Sequence, residues 1–123
     1  MIEKIFLIQI RYLNKENVIE FIIIYCTVPN KKEGQIIAKA LVEKRLAACV
    51  NIIDKVESIF SWDHKMMQEK EALLIIKTRK DFFFEISNVI KELHSYNVPE
   101  IIAARVSQAD ETYLRWIAHE TEH

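Results

Sequence analysis

Glu43-Lys44-Arg45-Leu46-Ala47-Ala48-Cys49-Val50-Asn51-Ile52-Ile53 changes its hydrophobic period from helical to strand-like within three or four residues. Before it, Ile36, Ile37, Ala40 and Leu41 fall on one helical face, and after it comes a β-branched apolar run of strand character. The chain therefore passes from a helix straight into a buried strand, and so short a junction sets the topology.

On the N-terminal side, the run from Val18 to Val28 reads as a strand rich in Ile and Phe that closes at the turn pair Pro29-Asn30. A helix is expected over residues 32–46. A second strand follows over about 47–56, continues extended to Trp62, and reverses at Asp63-His64-Lys65. The chain returns through Glu71-Ala72-Leu73-Leu74-Ile75-Ile76-Lys77, too continuously apolar to have one wet face. It is expected to be a central strand covered on both sides, in a hairpin with the strand before it. Thr78-Arg79-Lys80-Asp81 has the form of a capping box. Phe82, Phe83, Ile86, Val89, Ile90 and Leu93 then mark a second amphipathic helix ending near His94. Residues 95–99 form a loop before Pro99, residues 100–106 alternate as a short fourth strand, and residues 110–118 close the chain as a helix with acidic residues in its first turn.

The order β-α-β-β-α-β plus a terminal helix predicts an α+β fold, the ferredoxin-like split βαβ unit, with both helices on one face of an antiparallel sheet. The opposite sheet face then lacks cover. A second copy of the chain is the natural way to bury it, so a homo-oligomer is expected.

At 123 residues, half of them apolar, the chain is about one domain long, read as a segment 1–17 followed by a single domain over 18–123. Its net charge of −1 comes from 17 basic and 18 acidic residues that are interspersed, which argues against nucleic acid as a partner. One glycine leaves no room for a glycine-rich phosphate loop. Cys26 and Cys49 lie in apolar runs without CxxC spacing, which points to a reducing, cytoplasmic setting. Residues 1–11 read as an extension and not as an export signal, because Glu3 interrupts them and no small-residue cleavage site follows. No membrane span is expected, since Arg11, Lys15, Glu16 and Glu20 break the first apolar candidate.

Specific words add to these periodicities: Tyr25-Cys26-Thr27-Val28-Pro29-Asn30, Leu41 to Ile52, Ser58-Ile59 with Trp62 and Lys65, and Leu74-Ile75-Ile76-Lys77-Thr78. They continue with His94 and Tyr96, Val98-Pro99-Glu100-Ile101-Ile102, and Tyr113-Leu114-Arg115-Trp116. From about residue 20 to 118 this ordered set resembles the CutA divalent-cation-tolerance family. The resemblance implies a homotrimer whose long second and third strands pair between subunits, a role in metal-ion response, and binding of copper or another divalent metal. It carries Cys26 and His94 over as metal ligands, with Leu93 standing where some members have a second histidine. The chain departs from the family pattern at His64, where glycine is usual, and at Asp54 and Ser95, where proline is common.

Thiolate and imidazole suit a soft or borderline metal. Against that stands the ordinary role of a strand cysteine as a small buried hydrophobe, and of a histidine at a helix C-terminus as a partner of the dipole. His119 and His123 could take up metal incidentally with Glu120 and Glu122. Trp62, Tyr96, Tyr113 and Trp116 could line a ligand pocket or pack interfaces. Lys77 is expected beside Glu100. No assembled catalytic constellation is present, so an enzyme is not expected. Two classes remain open: a metal-binding tolerance protein, or a trimeric scaffold or small-molecule sensor, similar to PII-type trimers, acting through clefts between subunits on protein partners not identifiable from sequence.

Overall fold

The computed structural model describes residues 13–14 and 17–123, with side chains from Val18 onward. Most of the expected extension 1–17 lies outside the described residues. Its end forms a short hairpin of β1 (Leu13–Asn14) and β2 (Asn17–Val18), so the first core strand, β3 (Phe21–Val28), begins three residues later than the apolar run.

The core elements then follow as α1 (Lys31–Glu43), β4 (Cys49–Trp62), β5 (Lys65–Arg79), α2 (Phe83–Leu93), β6 (Ile102–Arg105) and α3 (Glu111–Glu120). The sheet order is β4-β5-β3-β6 with antiparallel neighbours throughout, the split βαβ arrangement. Ile22, Ile24, Cys26 and Val28 of β3 share the core face with Ala72, Leu74 and Ile76 of β5. Ile37 and Leu41 of α1, with Ile86 and Ile90 of α2, close that face. Burying each of these large side chains contributes about 1.5–3 kcal/mol.

Backbone geometry explains how the helix-to-strand junction can be so short. The Arg45 amide donates to Val42 O and the Leu46 amide to Leu41 O, at 3.0 Å each, with Arg45 at φ 58°. This is a Schellman stop with arginine in the left-handed position where glycine is usual. The Arg45 side chain compensates by donating to the His119 and Glu122 carbonyls, at 2.8 and 3.1 Å, which ties the junction to the end of α3. At the start of α1, Asn30 caps by accepting the Glu33 amide at 2.9 Å. The one glycine, Gly34, lets α1 approach the sheet: a Cβ there would meet Leu74 Cδ2 at 3.1 Å and Val28 Cγ2 at 3.2 Å.

The capping box does not form. The Thr78 hydroxyl donates to the Leu46 carbonyl instead, Asp81 takes the Arg79 guanidinium at 2.8 Å, and α2 is entered through a 3-10 turn over Lys80–Phe82. A buried carbonyl at the junction competes successfully for the hydroxyl because leaving it unpaired is costly.

Beyond Ala72 the β4–β5 hairpin runs on as an arm past the rest of the sheet, with a bulge at Asp54–Lys55 and exposed Ile59, Phe60, Trp62 and Met66. Its tip turns at Asp63 and His64, whose φ angles of 53° and 63° match the twisted two-residue hairpin turn. Left-handed backbone disfavours His64, so His64→Gly is expected to raise stability by about 0.5–1 kcal/mol in denaturant titration.

The second sheet face is partly covered, contrary to the expectation of an entirely open one. Leu114 and Ile117 of α3 pack on Phe21, with Ile19, Ala48, Val106 and Ala118 around them. The remainder of that face carries half-buried Tyr25, Leu73 and Ile75 with exposed Ile53 and Ile102. Leu73 and Ile75 are therefore not buried on both sides within one chain.

Candidate functional site

Cys26 and His94 meet at one backbone carbonyl. Strand β6 begins only at Ile102, opposite Tyr25, leaving the last residues of β3 without a strand on that edge. His94, the C-cap of α2, occupies the gap: its Nε2 lies 2.7 Å from Thr27 O, and the Cys26 thiol lies 3.7 Å from the same oxygen. Both residues are buried.

The ring's protonation pattern follows from its partners. A carbonyl can only accept, so Nε2 carries the hydrogen. The Tyr96 amide can only donate, and at 3.0 Å it donates to Nδ1. His94 thus has both ring nitrogens engaged, and Nδ1 is the atom a ligand could take without breaking the bond to Thr27. An N–H bound to a backbone carbonyl is the usual support of a metal-ligating imidazole.

Three carboxylates surround the pair. Glu33 Oε2 lies 3.5 Å from His94 Nδ1 and accepts from the Ser95 amide and hydroxyl, at 3.1 and 3.2 Å. Glu71, buried midway along β5, accepts the Tyr96 hydroxyl at 2.8 Å. Burial, reinforced by the charges of Glu100, Glu33 and Glu71, pushes the Cys26 thiol up to about 12, so it is protonated at neutral pH. Burial and the same hydrogen bond push the Tyr96 phenol up. Among the described residues no group of three or more His, Cys, Asp or Glu is placed to hold a metal ion.

Burial and the Glu71 charge hold the Glu100 carboxyl above its usual value of 4.5. The folded chain therefore binds this proton more tightly than the unfolded one, and the associated stability is lost as pH rises above 4.5 through the folded value. Glu100→Gln is expected to melt higher than wild type at neutral pH and to converge with it below pH 4.5 in thermal melts.

Other candidates separate in space. Lys77 places its ammonium 5.8 Å from the Tyr113 ring centroid, while Glu100 faces Glu71, so the expected Lys77–Glu100 pairing is replaced. His123 Nε2 donates to Arg45 O at 2.9 Å and its ring meets Phe82 edge-on, whereas exposed His119 lies 3.8 Å from Glu122. Tyr113 stacks with Trp116, Tyr96 with His94, and Trp62 sits at the arm tip, so the aromatics line no common pocket. An open groove of about 390 Å³ lies at the opposite end of β3, between Ile19, Arg79, Lys80 and Phe84. Its charges are already paired, Arg79 with Asp81 and Lys80 with Glu20. Cys49 approaches Asn51 on the face away from the core and takes no part in the pair. No described helix is long and apolar enough to cross a membrane.

The profile of the family described as CutA1 divalent ion tolerance protein matches residues 22–120. The chain belongs to the CutA1 family. The Divalent-cation tolerance protein CutA of Thermus thermophilus is 40% identical over 99 residues, covering 80% of this chain and 96% of that protein. Protein CutA, chloroplastic, of Arabidopsis thaliana is 36% identical over 120 residues, covering 98% of this chain. The chain spans 66% of the length of that plant protein. The crystal structure of CutA1 from Oryza sativa superposes with a TM-score of 0.82 at 38% identity, covering 85% of this chain and 95% of the other. The CutA1 family match covers both Cys26 and His94 and, apart from Phe21 at the start of β3, every core element from β3 to α3. Glu33, Glu71 and Ser95 gave no signal in sequence, because their roles are contacts across 25 to 62 residues of chain.

Proposed function

We propose that this CutA1-family chain serves divalent-cation tolerance as a homotrimer, with Cys26 and His94 as donors to copper or another divalent ion. The observation that carries the assembly is the apolar remainder of the second sheet face, continuous with an arm that exposes Ile59, Phe60, Trp62 and Met66. A face of that kind marks an interaction site, and further copies of the chain are the occupants proposed for it. Sedimentation equilibrium of the purified chain is expected to give about 44 kDa, three times the 14.6 kDa chain. A 14.6 kDa species at micromolar concentration would overturn the trimer.

Cys26 and His94 support the metal reading because a thiol and an imidazole converge there on one carbonyl. Binding at the thiol releases its proton, so apparent affinity is expected to rise about tenfold per pH unit below the thiol's value. A scaffold or sensor without a physiological metal is the second reading. It is favoured by the lack of a three-donor group among the described residues.

A further inference from the structure

We propose that His94-Ser95-Tyr96 is a strap that shuts Cys26 away, with Glu33 and Glu71 as the two latches that hold it. The segment leaves the end of α2 and is pinned to three other elements within three consecutive residues. His94 bonds to Thr27 O on β3, Ser95 bonds through its amide and hydroxyl to Glu33 on α1, and the Tyr96 hydroxyl bonds to Glu71 on β5. The Tyr96 amide closes the strap on itself by occupying His94 Nδ1. Two of the three attachments end on carboxylates, and bonds to charged acceptors are about twice as strong as neutral ones.

This wiring couples two events. When Tyr96 leaves Glu71 and its amide leaves Nδ1, the imidazole gains a free nitrogen while its Nε2 bond to Thr27 can persist. When Ser95 leaves Glu33, the hold on His94, which shares the Thr27 carbonyl with Cys26, loosens at the same end of the sheet. A loop held by a few polar contacts opens locally without global unfolding. Glu33, Ser95, Glu71 and Tyr96 are therefore positioning residues, and the strap sets when the thiol and the ring become available. The purpose of such a gate rests on the proposed donor role of Cys26 and His94, but its existence does not.

The test is metal-free. Alkylation of the full chain by N-ethylmaleimide is followed at each cysteine by peptide mass spectrometry, with half-exposed Cys49 as internal reference. Each of Glu33→Gln and Tyr96→Phe is expected to speed Cys26 alkylation about tenfold, and the double variant about a hundredfold, with Cys49 unchanged. Asp110→Ala, which removes the cap of α3 and touches no part of the strap, controls for global opening and is expected to leave the Cys26 rate unchanged. Ser95→Ala, which keeps the amide bond to Glu33, is expected to give a smaller increase and serves if the double variant does not fold. An unchanged Cys26 rate in the folded strap variants would overturn the proposal, as would an equal rise in Asp110→Ala. A separate copper titration in which the latch variants lose binding while Cys26 reacts fast would leave the strap standing and sink only the donor reading.

Discussion

Ile53→Glu combined with Ile102→Glu is expected to give a folded monomer of 14.6 kDa. Both positions lie on the sheet face away from α1 and α2, in the part that α3 leaves uncovered, Ile53 opposite Leu73 and Ile102 opposite Tyr25, and they are 47% and 59% exposed in the single chain. A charge there remains hydrated in the monomer and costs little. Covered by another subunit without a partner it costs several kcal/mol, and a symmetric assembly repeats that cost at every copy. Sedimentation should show loss of the oligomer, with unchanged far-UV circular dichroism. The melting temperature of wild type should rise with protein concentration, and that of the double variant should not. A double variant that still sediments as wild type would remove this face from the interface.

Leu74→Ala carries the largest expected cost among single substitutions, about 2–5 kcal/mol. Leu74 is fully buried, pairs across the sheet with Cys26 and Ile52, and touches the point where Gly34 brings α1 against the strands. The neighbouring backbone is held by ladders on both sides, so the space left by the side chain does not collapse. A domain of this size has about 5–15 kcal/mol in total, so the variant should melt more than ten degrees lower, at roughly 4–8 °C per kcal/mol. Met66→Ala, on the exposed arm, is the contrast: in the monomeric background it should change stability by less than about 0.5 kcal/mol.

The elements legible in sequence are those whose information is local. The change of period at Glu43 to Ile53, the apolar face of Ile37 and Leu41, and the turn at Asp63-His64 lie within a few residues of their consequences, and each is found where the pattern puts it. Arg45 is legible only as part of the junction. Its left-handed backbone is sustained by carbonyls at and just beyond the end of α3, more than seventy residues away, a dependence no window reveals. The same holds where expectation and structure differ. Thr78 looks like a cap because of its neighbours in sequence, but the carbonyl it serves belongs to Leu46. Lys77 and Glu100 look complementary, yet register sets Lys77 beside Tyr113, and burial sets Glu100 near Glu71. At the site, the resemblance carried Cys26 and His94, whereas Glu33, Ser95 and Glu71 are defined only by where the loop after α2 lands.

Equilibrium titration of the purified oligomer with copper, under reducing and non-reducing conditions, and with zinc, beside Cys26→Ser and His94→Ala, tests the functional reading most directly. The account predicts one ion per chain, tighter binding as pH rises, and loss of that site in either variant. Binding that both substitutions leave unchanged would contradict it, making Cys26 a core residue and His94 the anchor of a loop.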